Sequence, residues 1–233
     1  MQAIILAGGK GRRLYPFTKE TPKPLVEVHG IPIIVILLKQ MKSCGVEEVI
    51  IALHHMADKI QDVVGDGSRY GLHVRYSYEE KELSTVAPIK LIKSLDENFI
   101  VSNGDILTNL DFSDLMKSHT ESNSELTIAV TKRCHNIDYG VIETDASNKI
   151  TSFKEKPQSD YLVSCGMYAF SKSLLRRIPD GQPYGFDHLM YDLLDKNIPI
   201  NSYLFEKFWL DIGRPADYEK AQIEYKKIIN KSS

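Results

Sequence analysis

The sequence predicts an α/β fold, in which a mainly parallel central sheet lies between two layers of helices and carries a small antiparallel insert. Short β-branched runs alternate with amphipathic stretches through the first half, which is typical of βαβ units. After about Asp111, shorter strands follow one another. The 233 residues suit one or two domains, and no repeat or linker divides them. We therefore expect one domain over residues 1–233, with residues 1–111 and 112–233 as its halves.

The first half alternates strands with helices. Strands are predicted at residues 3–7, 48–53, 73–78 and 99–102. Helices are predicted at residues 33–44, 57–64 and 86–94. Gly45 and Gly65 directly follow the first two helices, where glycine commonly ends a helix. We expect parallel strands joined by right-handed connections, because strand–helix–strand units in one sheet almost always have that hand.

The second half begins and ends with a helix and holds most of its strands between them. Its helices are predicted at residues 112–119, 187–194 and 215–229. Its strands are predicted at residues 126–131, 140–143, 149–153, 162–170 and 200–205. Pro215 suits the first position of the closing helix, where a missing N–H costs nothing. Consecutive strands without helices between them predict the antiparallel insert.

Composition excludes several classes of protein. The 29 Lys and Arg against 31 Asp and Glu give a net charge of −2, which disfavours a nucleic-acid partner. Cys44, Cys134 and Cys165 are widely separated and form no CxxC pair, as in proteins of a reducing compartment. The N-terminus lacks the basic region of a signal peptide, and no apolar run could span a bilayer. We therefore expect a cytoplasmic protein without a membrane partner.

A glycine-rich loop, with the sequence GGKGRR at residues 8–13, follows the first strand. Glycines let backbone N–H groups approach a phosphate or a flat base, although a tight turn alone would also explain them. The loop has neither Walker A spacing nor the third glycine of a dinucleotide fingerprint, since Leu14 occupies that position.

Lys23 lies between Pro22 and Pro24, which fix the backbone on both sides of it. Together with Arg12, Arg13 and Lys19, this lysine forms a basic window that suits a polyphosphate. A solvated basic loop is the alternative, but it would not explain the flanking prolines.

Residues 6–18, LAGGKGRRLYPFT, and residues 22–25, PKPL, resemble the signature of the sugar-1-phosphate nucleotidyltransferases, such as mannose-1-phosphate guanylyltransferase. This resemblance implies a Rossmann-like domain whose first half binds a nucleoside triphosphate and whose second half binds a sugar phosphate. It implies that Arg13 holds the triphosphate and that Lys23 contacts phosphate at the reacting centre, as catalytic residues. The nucleotide contacts implied in this way are Leu6, Ala7, Gly8, Gly9, Gly11, Arg13, Glu80 and Asp105.

Two aspartates match the metal-binding positions of that family. Asp105 comes just after a predicted parallel strand, and ligands of open α/β sheets bind beyond the carboxyl ends of strands. Asp211 lies in a turn before the last helix. We expect both to hold Mg²⁺, which takes one or two carboxylates together with substrate phosphates. Either aspartate alone could instead serve as a turn or capping residue.

The sugar side is assigned by two further elements of the resemblance. Residues 138–142, DYGVI, and residues 153–157, FKEKP, resemble family elements, which implies that the Gly140 backbone meets the sugar, Glu155 contacts sugar hydroxyls and Lys156 contacts the sugar phosphate. An exposed edge strand protected by lysines would also explain Lys154 and Lys156. Ser164 occupies the position of a sugar-contacting asparagine in the family.

The segment that packs against the base departs from the family pattern. Ser84 and Ala87 stand where two glycines are usual, so the base contacts at residues 83–88 should differ from those of the family. Glu79 and Glu80 could accept hydrogen bonds from a base or could be solvated.

The resemblance covers about residues 1–225 and implies transfer of a nucleotidyl group from a nucleoside triphosphate to a sugar 1-phosphate, which releases pyrophosphate. We expect GTP and a hexose or heptose 1-phosphate, used for cell-surface polysaccharide precursors. The alternatives are CTP, UTP or dTTP, another small-molecule phosphate, or a silent regulatory homologue that binds nucleotide sugars. A homo-oligomer is possible, and no β-helix acyltransferase domain is expected after residue 225.

Overall fold

The computed structural model describes residues 1–229, with side chains described as far as residue 225. Its strands are β1 (Gln2–Leu6), β2 (Glu27–Val28), β3 (Ile31–Pro32), β4 (Glu48–Leu53), β5 (His73–Tyr78), β6 (Asn98–Asn103), β7 (Ile106–Thr108), β8 (Leu126–Asn136), β9 (Val141–Thr144), β10 (Ile150–Lys154), β11 (Gln158–Ser171), β12 (Ile200–Leu204) and β13 (Trp209–Asp211). Its α-helices are α1 (Ile33–Ser43), α2 (Ala57–Val64), α3 (Phe112–Ser122), α4 (Phe186–Asp195) and α5 (Pro215–Ile229).

The central sheet has seven strands in the order β12-β8-β11-β6-β1-β4-β5. β11 runs antiparallel to both of its neighbours, and the other neighbouring pairs are parallel. Both halves of the chain supply strands to this one sheet. The predicted mainly parallel sheet is therefore confirmed.

Two hydrophobic cores cover the two faces of the sheet. Successive residues of a strand point to opposite faces, and accordingly Ile5 packs in one core while Ile4 packs in the other. The first core takes apolar residues from α1, α2 and α3. The second takes them from α4 and from a short 3-10 helix at Ala87–Leu91. The result is the expected three-layer sandwich.

The helix predicted at residues 86–94 is wrong, because only the 3-10 turn Ala87–Leu91 forms there. The N–H groups of Val86 and Ala87 both donate to the carbonyl of Tyr184, at 3.0 and 3.1 Å, and Pro88 has no N–H to donate. Two short ribbons were not predicted, β2 with β3 and β7 with β13. Each contains strands of only two or three residues, which leaves little periodicity to detect.

The antiparallel insert extends beyond the sheet as an arm. The outer part of β8 pairs with the outer part of β11, from Gln158 opposite Asn136 to Val163 opposite Thr131. The hairpin β9–β10 follows β8 along the chain. Tyr139 and Phe153 are large apolar residues of the insert that remain exposed.

No helix among residues 1–229 combines the length and the apolar character that crossing a membrane requires.

Candidate active site

A cavity of about 470 Å³ opens at the carboxyl ends of β1 and β6. Of the residues that the sequence assigns to nucleotide or catalysis, those that line it are Leu6, Ala7, Gly8, Gly9, Gly11, Arg13, Lys23 and Asp105. Its lining also contains Arg12 of the basic window, Glu79, and Ser84 and Thr85 of the base-contact segment, together with Glu82 and Asn103, for which the sequence predicted no role. The cavity therefore joins the glycine-rich loop to the 79–88 segment and to the end of β6.

The glycine loop has a backbone that larger residues would obstruct. A Cβ on Gly8 would lie 2.7 Å from Oε1 of Glu79, so a side chain there would displace this carboxylate. Gly11 has a φ of +61°, and its carbonyl accepts a hydrogen bond from Oγ1 of Thr18 at 2.7 Å. Within residues 1–229, the N–H groups of residues 8–11 donate no hydrogen bond to a protein acceptor. These donors can therefore bind a phosphate oxygen.

Lys23 is a buried cation at the floor of the site. It begins a 3-10 turn that ends at Leu25, and only 11% of its side chain is exposed. Its Nζ forms an ion pair with Oδ2 of Asp105 and lies 3.9 Å from Oδ1 of Asp211. A buried lysine with two carboxylates beside it has one preferred direction, which suits a group that must hold a phosphate in place.

The two aspartates meet because a short ribbon joins distant parts of the chain. Asp105 follows β6, and Asp211 ends β13, where it lies opposite Ile106 of β7. A hydrogen bond of 3.1 Å from the N–H of Ile212 to the carbonyl of Asp105 closes this contact. The structure thus brings together the two residues predicted to bind metal.

These two carboxyl groups each keep an oxygen free. Oδ1 of Asp105 and Oδ1 of Asp211 are buried and have no hydrogen-bond partner among the described residues. The pKa of Asp211 is raised, first by burial and then by the negative charge of Asp105. Residues 1–229 hold no cluster of three or more His, Cys, Asp or Glu that could bind a metal on its own. Two free carboxylate oxygens fit Mg²⁺, which then takes its other ligands from phosphates and water.

Glu79, and not Glu80, lines the cavity. Oε2 of Glu79 accepts a hydrogen bond of 2.9 Å from the N–H of Leu83, and burial raises the pKa of this carboxyl group. Glu80 is exposed and does not belong to the lining. Because consecutive residues leaving a strand point in opposite directions, a shift of one position moves the carboxylate out of the site.

The sugar-side residues lie on the arm, outside the lining of this cavity. A Cβ on Gly140 would lie 2.6 Å from the Phe153 ring and 3.4 Å from Oε2 of Glu155, so these three residues form one group. Lys156 has a φ of +40° at the end of the same hairpin. Oγ of Ser164 accepts a hydrogen bond of 3.3 Å from the N–H of Gly166, and it also lies 3.3 Å from the Tyr168 hydroxyl. The structure does not bring these residues into contact with Lys23.

The fold and the position of the cavity indicate the class of protein. This is an α/β protein with a cavity, lined by glycines, arginines and a lysine, at the carboxyl ends of parallel strands, where ligands of such sheets bind. The family described as nucleotidyl transferase matches residues 2–228, so the chain belongs to that family. Membership of the sugar-1-phosphate nucleotidyltransferases, expected from the loop sequence, is confirmed.

Known proteins of the family resemble the chain over almost its whole length. UTP–glucose-1-phosphate uridylyltransferase of Synechocystis is 32% identical over 95% of this chain and 62% of the relative. The catalytic subunit beta of mannose-1-phosphate guanylyltransferase from Danio rerio is 34% identical over 94% of this chain and 62% of the relative. The chain therefore spans a little over three fifths of these relatives.

A solved structure shares the fold. The crystal structure of HddC from Yersinia pseudotuberculosis complexed with GMP-PN is 28% identical, with a TM-score of 0.72. The match covers 96% of this chain and 99% of the HddC chain. The predicted three-layer architecture is thus found in a member of known structure.

Proposed function

We propose that this chain transfers a nucleotidyl group from a nucleoside triphosphate to a sugar 1-phosphate, with release of pyrophosphate. The observation that carries this proposal is the position of Lys23. It is buried between Asp105 and Asp211 at the floor of a cavity that the glycine loop lines. Phosphate groups are the ligands for which free N–H groups, arginines and a buried lysine are jointly suited.

The reaction brings three negatively charged groups close together: the sugar phosphate, the α-phosphate and the departing pyrophosphate. An oxygen of the sugar phosphate attacks the α-phosphorus, and the bond from that phosphorus to the bridging oxygen breaks as pyrophosphate leaves with the electron pair. The attacking oxygen is already anionic, so no side chain has to remove a proton. The protein must instead position the groups and balance their charge.

Each residue of the cavity has a role that its position supports. The N–H groups of the glycine loop bind the triphosphate, and Arg13, which lines the cavity and is exposed to an incoming ligand, binds the leaving pyrophosphate. Lys23 holds the phosphate that is transferred, because its ion pairs point it towards the end of β6. Asp105 and Asp211 would hold Mg²⁺ through their free oxygens. When bound, Mg²⁺ neutralises charge on the phosphates.

We assign the sugar phosphate to the arm. Gly140, Glu155 and Lys156 occupy the hairpin that faces away from the packed sheet, and all three are exposed. Glutamate accepts hydrogen bonds from sugar hydroxyls and lysine pairs with phosphate. On this proposal both halves, residues 1–111 and 112–233, act as one domain, since their strands share the central sheet.

We propose GTP as the nucleotide and a hexose or heptose 1-phosphate as the acceptor, which would serve cell-surface glycan synthesis. Glu79 supports guanine, because its Oε1 faces Gly8 and offers acceptors to the two adjacent donors on the guanine edge. The Danio rerio relative is named a guanylyltransferase, and HddC was crystallised with GMP-PN. The Synechocystis relative is named a uridylyltransferase, which makes UTP the second candidate.

A pyrophosphate-release assay tests the activity and the base together. Wild-type protein is incubated with Mg²⁺, each of GTP, UTP, CTP and dTTP, and glucose, mannose or heptose 1-phosphates. We expect release that requires both substrates and is fastest with GTP. In Glu79→Gln the amide offers one acceptor and one donor, which match uracil better, so the GTP-to-UTP ratio should fall about 10- to 100-fold. Absence of release from every pair would refute the proposed activity.

Two variants separate failure of the base assignment from failure of the site. Glu80→Gln is the matched control, because Glu80 is the exposed neighbour of Glu79, and its base preference should equal that of the wild type. A Glu79→Gln protein with unchanged preference would remove Glu79 from base recognition. Pyrophosphate release would still support the transfer reaction in that case.

A further inference from the structure

A salt bridge joins the glycine loop to the 79–88 segment beside the cavity. Nζ of Lys10, in the glycine loop, lies 2.7 Å from Oε2 of Glu82, which is 72 residues away in the sequence. Gly9 and Gly11 on either side of Lys10 line the cavity, and Glu82 lines its opposite wall. The pair thus joins the two walls between which a nucleotide would have to fit.

The charge of Glu82 is unfavourable for an anionic ligand. The hydrogen bond from Lys10 is the largest cause that lowers the pKa of Glu82, and nearby His54 and Arg12 act in the same direction. Glu82 is therefore ionised at neutral pH. A carboxylate on the wall of a cavity that must accept a triphosphate repels it, unless a cation neutralises the carboxylate. Lys10 supplies that cation, but it is then directed at Glu82 and not at the phosphates.

The two partners differ in how firmly their backbones are held. The wall that carries Glu82 is anchored, because the N–H of Leu83 donates to Glu79 and the N–H of Tyr184 donates to the carbonyl of Leu83. The loop beside Lys10 is open, since a Cβ on Gly9 would have no neighbour within 4 Å. Lys10 is 38% exposed and has a long side chain that can turn towards a different anion. Lys10 is thus the partner that can exchange.

We propose that Glu82 sets the affinity of the cavity for nucleoside triphosphate by holding Lys10 in an ion pair that the phosphates must displace. This inference rests on the proposed function only in taking a nucleoside triphosphate as the ligand. Lys10 moves from Glu82 to the phosphates when the nucleotide binds. Glu82 then lowers the affinity for nucleotide. The alternative is a structural role, a strut, in which the ion pair stabilises the binding conformation of the glycine loop.

Isothermal titration calorimetry tests this inference by measuring the nucleotide affinity of four proteins. They are the wild type, Glu82→Gln, Lys10→Met and the double variant. The probe is whichever of GTP, UTP, CTP and dTTP the wild type binds most tightly, with its monophosphate as a second probe. Exposed ion pairs contribute little to a free energy, so we expect about two- to fivefold changes in affinity. Glu82→Gln should bind the triphosphate more tightly, Lys10→Met more weakly, and the double variant between them. The monophosphate, with less charge, should show smaller changes.

The matched control is Glu206→Gln. It breaks the salt bridge of Glu206 with Lys132, at 3.2 Å, and neither residue lines the cavity. Glu206 is about as exposed as Glu82. This variant should bind like the wild type. Weaker binding by both Glu82→Gln and Lys10→Met would show a strut and overturn the inference, as would unchanged binding by Glu82→Gln. A wild-type protein that binds none of the four triphosphates would refute the proposed function itself, together with this inference.

Discussion

Replacing Gly166 with alanine should be among the most damaging single-atom additions near the site. Gly166 lies in the bulge of β11, between the pairings of Ser164 and Tyr168, and has a φ of +70°. A Cβ there would lie 2.7 Å from Nδ2 of Asn103 and 2.9 Å from Cδ1 of Ile106. Both neighbours flank Asp105, so the added methyl group would have to displace the Asn103 and Ile106 side chains beside this carboxylate.

The cost has two parts. A left-handed backbone costs an alanine about 1–2 kcal/mol. Forcing a methyl group into a filled space adds about 1–3 kcal/mol. We therefore expect Gly166→Ala to lower the free energy of unfolding by about 2–5 kcal/mol. It should also weaken nucleotide binding, because Asn103 lines the cavity.

Gly45→Ala is the matched control, since Gly45 has a φ of +81° and a Cβ there would have no neighbour within 4 Å. That variant carries the backbone cost alone, about 1–2 kcal/mol. Urea unfolding of both variants, with unchanged slopes, measures the difference. If Gly166→Ala lost no more stability than Gly45→Ala, the close approach of β11 to Asn103 would be refuted.

Two further predictions concern titratable groups whose pKa is shifted by burial. Asp211→Asn should abolish transfer yet raise the melting temperature at pH 7.5. The raised pKa of Asp211 means that its stabilising protonated form is lost as the pH rises through that value, and calorimetry measures the change; a lower melting temperature would contradict this. Burial lowers the pKa of His119, which contacts Thr127 and Ser171 through its two ring nitrogens. The free energy of unfolding should therefore decrease as the pH falls below about 6.5, where the unfolded chain binds the proton. Urea unfolding at pH 7.5 and 5.5 should show a larger decrease for the wild type than for His119→Gln, and equal decreases would exclude His119 as the cause.

Local sequence patterns were enough to predict several strands and helices of the first half of the chain. β4, β5 and α2 have the predicted bounds, because β-branched runs and a terminating glycine mark them within a few residues. The segment 86–94 forms only a 3-10 turn, whose first N–H groups, those of Val86 and Ala87, bond to Tyr184, almost a hundred residues later. An amphipathic pattern cannot reveal such a distant contact.

In the candidate site, too, residues fixed by local sequence could be predicted, whereas contacts between distant segments could not. The glycine loop and Lys23 could be found from sequence, because they are adjacent and their backbone constraints are local. The meeting of Asp105 with Asp211 depends on the ribbon of β7 and β13, whose strands are too short to predict. The choice between Glu79 and Glu80 depends on where β5 ends, and one residue decides which carboxylate enters the cavity.

Lys23 is proposed to hold the transferred phosphate in the cavity at the end of β6. The direct measurement is the single-turnover rate of nucleotide-sugar formation by Lys23→Met, compared with Lys39→Met, an exposed lysine of α1. Circular dichroism establishes that both variants are folded. Loss of one charged donor at a reacting centre costs about 100-fold or more, so Lys23→Met should fall by at least that factor while Lys39→Met matches the wild type. A Lys23→Met rate within a few-fold of the wild type would show that Lys23 does not hold the transferred phosphate.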